Sequence, residues 1–329
     1  MIARGWLVTL VIGVFGATPA LAGEAEIVGQ TKLRRVLDRY QLVPIVEDDG
    51  RIVEVDFGRS KQADQIAHAL AHTPGVEVLG CDWSSLSDRG LESLATLKDL
   101  KSLRIMDTTV TGRGFPFLTE LKELRELGCN PQAEPELAMS YVGQLTELKR
   151  LDLSYASLPD RALEHLASLR KLERLDLLGA TVSDKGLTQL SKLPELESLH
   201  LGDTGITSAS GRTFRSLVKI RELGLAGTQV TDEIMTEVQE LEALRFLALS
   251  RTHVTDRSIA AIVRLKNLES LFLDETRITD DAFGSLGDLA KLKYLYLMGT
   301  AVSRSTVERL RKRLPDCEIL SDVDTEDAD

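Results

Sequence analysis

The chain has 329 residues, with 51 Asp and Glu against 40 Lys and Arg, a formal net charge of −11 at pH 7 and an aromatic content of only 5%. Phosphate binding needs a clustered basic surface, so this balance argues against nucleic acid as a partner. There is no glycine-rich phosphate loop, no nucleophile elbow and no Cys-x-x-Cys pair, so the signatures of the commoner enzyme classes are missing.

Residues 1–22 carry Arg4, an apolar run from Trp6 to about Phe15, and the small-residue site Ala20-Leu21-Ala22. That order is the pattern of a secretory signal peptide. The run falls short of the roughly 20 apolar residues a spanning helix needs, so cleavage is expected and a retained N-terminal anchor is the alternative. No cysteine follows the cleavage site, which argues against a lipoprotein. The expected product is secreted or periplasmic, with no membrane insertion after cleavage, and losing Arg4 takes its charge from −11 to −12. Residues 23–51 follow, with Ile27, Leu33, Val36, Leu37 and Tyr40 at helical spacing. They should fold over the next element as a cap that hides its open edge.

From residue 52 to 315 an apolar residue, another three further on and a third two beyond that recur eleven times with a period of 24. The first units start at Ile52 and Val76, the last at Leu268 and Leu292. One such unit cannot bury its own apolar face and must stack on its neighbours to make a core. Within a unit, positions 1, 4 and 6 anchor a short strand, and 4 and 6 share a face by the two-residue period of a strand. Leu or Ile at positions 16, 19 and 22 then steps by three, which suits a short helix or tight helical turn. The Ser/Thr-Asp pair before it, as in Thr231-Asp232, Thr255-Asp256 and Thr279-Asp280, is a helix N-cap signal, because those oxygens accept orphan N–H groups.

Some units depart from the pattern. His68 and His72 stand four apart on a predicted helix but lack a Glu-x-x-His motif or third ligand, so they read as surface histidines and no metal is expected. Cys81 and Cys129 occupy position 6 two units apart, roughly 10 Å at strand spacing and beyond disulfide reach, and read as small buried hydrophobes. The fourth unit runs Asn130-Pro131-Gln132-Ala133-Glu134-Pro135, where two prolines predict an irregular loop, either tolerated or projecting toward a ligand. At the far end, Val307, Leu310 and Leu314 predict a terminal helix. Residues 316–329 supply a last partial strand and then an acidic tail from Ser321, which reads as a disordered solvating end with calcium binding as the alternative.

The repeat L-x-x-L-x-L-x-x-T-x-V-T-D-x-x-L, clean in Ile220–Leu241 and Leu244–Leu265, resembles the leucine-rich-repeat superfamily over residues 52 to about 320. The nearest flavour is the secreted bacterial type, with a more distant likeness to internalins. The resemblance implies an α/β fold: a right-handed leucine-rich-repeat solenoid (horseshoe) with a parallel concave sheet and short helices on the convex side. It says little about activity, because a repeat scaffold serves many partners.

Since positions 1, 4 and 6 face the core, positions 3 and 5 face outward on the concave sheet. The last units bring Phe246, Phe272, Tyr294 and Tyr296 onto that face, with Met298 beside them, as a candidate protein-binding patch or as rings under the C-terminal cap. Earlier units place Arg150 and Arg174 beside Asp152 and Asp176, with His200 in the same column. In-register strands stack the two aspartates about 5 Å apart, and the paired arginines are expected to supply the cation that relieves their repulsion. The reading is an exported non-enzymatic binding protein with a protein partner, no cofactor and no metal. Cell-envelope or adhesion binding of polysaccharide is the first alternative, and a hydrolase using Asp152, Asp176 and His200 the remote one.

Overall fold

The computed structural model describes residues 24–324 apart from Glu47, Asp49 and Gly50. The expected signal peptide and tail residues 325–329 lie outside the described residues, as does the side chain of Ile27. A helix, Glu24–Tyr40, leads into β1 (Ile45–Val46) and β2 (Ile52–Asp56). One strand per unit follows: β3 (Val78–Gly80), β4 (Ser102–Ile105), β5 (Glu126–Cys129), β6 (Arg150–Asp152), β7 (Arg174–Asp176), β8 (Ser198–His200), β9 (Glu222–Gly224), β10 (Phe246–Ala248), β11 (Ser270–Phe272) and β12 (Tyr294–Tyr296). A closing strand, β13 (Glu318–Leu320), ends one open 13-stranded sheet whose spatial order is the chain order. From β2 on, every pairing is parallel, and residues 24 apart face each other, as in Glu54↔Val78 and Leu247↔Leu271. β1 departs from the all-parallel expectation by pairing antiparallel to β2, which a two-residue segment after Pro44 does without a crossover.

The core lies between sheet and helical turns. Leu151, Leu175, Leu199, Leu223, Leu247 and Leu271, all at position 4, are at most 1% exposed, and the helical leucines such as Leu163, Leu166 and Leu169 meet them from the other side. At the start, Leu33, Val36 and Leu37 bury one face of the first helix, and the Gln30 side chain bonds both the N–H and the C=O of Ile52. The cap helix thus satisfies the polar backbone of Ile52 at the start of β2.

Three ladders fix the turns. At position 8 the backbone is left-handed in ten units, with φ from 52° at Asp107 to 70° at Gly227; the exception is Pro131, whose ring forbids it. At position 9 a threonine hydroxyl donates to the carbonyl of position 6, as in Thr228 to Leu225 and Thr276 to Leu273, both 2.6 Å. The Ser/Thr-Asp pairs do more than cap. Thr255 Oγ1 accepts from Arg257 N–H within its own unit, while Asp232 of the preceding unit accepts both the Thr255 N–H (2.8 Å) and its hydroxyl (2.7 Å). The same two-point staple joins Asp64 to Ser87, Asp88 to Thr111, Asp184 to Thr207 and Asp256 to Thr279. It is missing where Gly112 faces Pro135 and Glu136 faces Pro159, because a proline has neither N–H nor hydroxyl to give and Gly112 has no carboxylate to accept.

Two expectations change at the irregular places. Pro135 opens a helix, Pro135–Val142, instead of prolonging a loop, since a first-turn proline lacks only an N–H that no helical carbonyl would reach. Only the stretch before it is irregular, and there Asn130 is buried and exchanges two hydrogen bonds with Asp107. The acidic tail also starts folded. Ser321 and Val323 are buried, and Arg304 of the terminal helix Arg304–Arg313 donates to the Val323 carbonyl.

Candidate binding face

Strand register assembles the C-terminal aromatics. Phe272 and Tyr296 pair directly across β11 and β12, so their rings stack with centroids 4.4 Å apart and planes at 21°. Phe246, at position 3 of the neighbouring strand, meets Phe272 diagonally at 5.1 Å, and His200 continues the row to Phe246 at 6.2 Å. The row crosses β9 and the end of β10 because those strands offer Gly224 and Ala248 at position 5, and a Cβ on Gly224 would sit 3.1 Å from the His200 ring. The rings shield one another and are half-buried, whereas Tyr294 stands 43% exposed beside them. Met298 is half-buried at the margin, its N–H bonded to Asp274. β13 extends the sheet alongside β12, pairing Tyr294 with Glu318 and Tyr296 with Leu320, and does not fold across the rings.

The polar residues come together differently from the sequence expectation. Asp152 and Asp176 are in register, but Arg150 pairs with Glu126 (2.8 Å) and Arg174 with Glu222 (3.5 Å), both in its own column, position 3. A side chain at position 3 runs along its column more directly than across to position 5: Arg150 reaches the neighbouring β5, and Arg174 reaches past β8 to β9. The aspartate repulsion is met instead by Ser154, whose Oγ donates to Asp152 Oδ1 (2.6 Å) and lies 3.1 Å from Asp176 Oδ1. His200 Nδ1 lies 3.3 Å from Asp176 Oδ2 and 3.5 Å from Arg174 Nη2; of the two, only the carboxylate can accept a proton from the ring. The two carboxyls then diverge. Burial raises the Asp152 pKa above the usual carboxylate value, the Ser154 bonds oppose this only in part, and the Asp176 charge adds to the rise. Burial pushes Asp176 the same way, but bonds from His200, the Leu178 N–H and Ser154, with the His200 charge, outweigh it and leave its pKa lowered.

Elsewhere the assignments are plainer. His68, His72 and His253 are exposed, and no cluster of three metal-binding side chains occurs among the described residues. Cys81, Cys129 and Cys317 are free and buried; burial drives all three thiols upward in pKa, Cys317 to about 11. Two surface residues escaped the sequence reading: Trp83 and Tyr155, 64% and 65% exposed, both at the left-handed position 8. A large side chain there costs about 1–2 kcal/mol against glycine, and it stands on the rim of the sheet face. Aromatics in a column otherwise held mostly by Gly, Asp and Arg were the available clue. The Tyr155 ring lies against Gly179, where a Cβ would come within 2.6 Å of it. The opposite rim is closed by ion pairs between successive units, Lys101–Glu77, Lys149–Glu173, Lys171–Glu147, Lys219–Glu195 and Lys293–Glu269.

An open parallel sheet built one strand per unit, with helical turns behind it, defines the leucine-rich-repeat fold, and known structures agree. An internalin (inlF) from Listeria monocytogenes superposes with a TM-score of 0.58 at 17% identity, covering 89% of this chain and 95% of that one. TLR13, solved as a TLR13–ssRNA13 complex, gives a TM-score of 0.54 at 20% identity over 82% of this chain and 43% of that one. No family model and no curated protein sequence matches the chain. Among the described residues no helix is long and apolar enough to cross a membrane.

Proposed function

We propose that this chain is an exported, non-enzymatic leucine-rich-repeat binding protein that takes a protein partner on its concave face. The row of rings from Phe246 through Phe272 to Tyr296, with Tyr294 exposed beside it, carries the reading. Rings on an open sheet face leave water only when a partner covers them, and aromatic anchors dominate the centres of protein interfaces. Arg150, Asp152, Arg174, Asp176 and His200 supply polar selectivity along the same face. The hydrolase reading is disfavoured because Asp176 is buried and tied to His200, Ser154 and the Leu178 N–H, which leaves its carboxyl committed to structural bonds. The fold by itself does not disfavour nucleic acid, given the TLR13–ssRNA13 neighbour; the net charge of −11 does. Export rests on residues 1–22. The test is a partner recovered from the producing cell's envelope and titrated against F272A/Y296A. Affinity should fall by at least about 2 kcal/mol while the melting temperature holds. Unchanged affinity would move the site to the polar patch.

A second reading has its own observation. Trp83 and Tyr155 stand apart on the rim, three units or roughly 14 Å from each other, as separate stacking platforms for a polysaccharide of the cell envelope. Retention on a glycan array that disappears in W83A and survives in F272A/Y296A would favour it.

A further inference from the structure

The charges around the ring row are unbalanced in a way that specifies the partner. Nearly every cation near it is already committed: Arg174 to Glu222, Arg245 and Lys293 to Glu269, and Arg251 to Asp203. Arg277, which makes no ion pair among the described residues, lies past the turn, bridged to Thr255. The carboxylates show the reverse. Glu275 and Glu318 are exposed and form no ion pair among the described residues. Glu318 is in register with Tyr294, and the Glu275 side chain lies along Gly299, beside the strand that carries Tyr296. Asp274, between Phe272 and Glu275 in the chain, is held by the Met298 N–H and the Ser250 hydroxyl and forms no ion pair among the described residues either.

We propose that the segment bound on this face is basic, with arginine or lysine side chains interleaved among apolar ones; this rests on the concave-face reading above. A ring presents its negative face to a cation, and flanking carboxylates without partners add to that attraction where a partner excludes water. The net charge of −11 steers such a segment toward the chain from a distance. An acidic segment would meet Glu275 and Glu318 with like charge, which no uncommitted cation beside them among the described residues of the sheet face would relieve.

The probes are three synthetic peptides of equal length alternating leucine with arginine, glutamine or glutamate, titrated by calorimetry against the mature protein. The arginine peptide should bind best, its affinity should fall as salt is raised, and the glutamate peptide should not bind. E275Q/E318Q should weaken it about tenfold with unchanged thermal unfolding, whereas E92Q/E164Q, which removes equal charge from the helical side, should change it less than about twofold. F272A/Y296A should weaken all binding peptides. If F272A/Y296A weakens binding but E275Q/E318Q does not, or if both charge pairs act equally, the basic-segment proposal falls and the concave reading stands. If neither F272A/Y296A nor E275Q/E318Q matters for a peptide that binds, the concave reading falls too. Binding of no peptide, or equal binding of all three, overturns the basic-segment proposal.

Discussion

Asp232 makes one side chain serve two units, accepting from Thr255 twice and from Ser258. Replacing it with alanine strands those donors and should cost about 1–3 kcal/mol in a denaturant titration. Its charge state follows from the same contacts: burial raises its pKa, but the bonds from Ser258 and Thr255 outweigh that and leave it lowered. A carboxyl depressed on folding stabilises above its unfolded value and loses that contribution as pH falls through the folded one, so D232N should flatten the acid limb below about pH 4. Asp152 has the opposite sign. Its raised pKa works against folding at neutral pH, so D152N should raise the melting temperature at pH 7, an advantage that vanishes below the unfolded value near pH 4. At position 8, Y155G relieves the left-handed penalty and should leave stability unchanged or raise it by up to about 1 kcal/mol. G179A should be destabilising, because its new methyl meets both positive φ and the Tyr155 ring.

Among the elements, strand and helical turn meet through leucines that the 24-residue period already marks. Leu175 and Leu247 are fully buried, and cutting either to alanine should cost about 2–5 kcal/mol, while exposed Lys192→Ala should stay near zero in the same titration. Equal stability for all three variants would contradict the assignment of faces. This layer was legible because burial follows spacing, and spacing is a property of the chain. The parts that were not legible depend on partners outside the repeat. Arg150 and Arg174 were expected on the aspartates, but which carboxylate a long side chain reaches is decided by its column. Pro135 reads as a breaker until the helix that it opens is known. The ring row, by contrast, followed from the period alone, since positions 3 and 5 must leave the core side.

For the whole molecule, twelve parallel strands at about 4.8 Å give a wall roughly 50 Å long and one unit deep, so solution scattering from the mature protein should show an elongated particle. A compact spherical profile would rule the solenoid out. Each unit contacts mainly its neighbours, and stability spreads as a chain of nearest-neighbour couplings. The staples missing at Gly112/Pro135 and Glu136/Pro159 weaken that chain beside the Pro135–Val142 helix. Hydrogen exchange should find its lowest internal protection at these junctions, with the units on either side opening separately.

The constant pairing of residue i with residue i+24 has a consequence for heredity. Deleting or duplicating 72 nucleotides anywhere between β6 and β12 removes or adds one whole unit, and the position-4 leucines of the strands brought together still face each other at the join. Misaligned recombination in the gene should therefore yield shorter or longer proteins that keep the strand register, which circular dichroism of a one-unit deletion would check. The position of the rings relative to the polar patch is what such an event between them resets, so the span between two recognition elements can change while the leucine pairing at position 4 is kept.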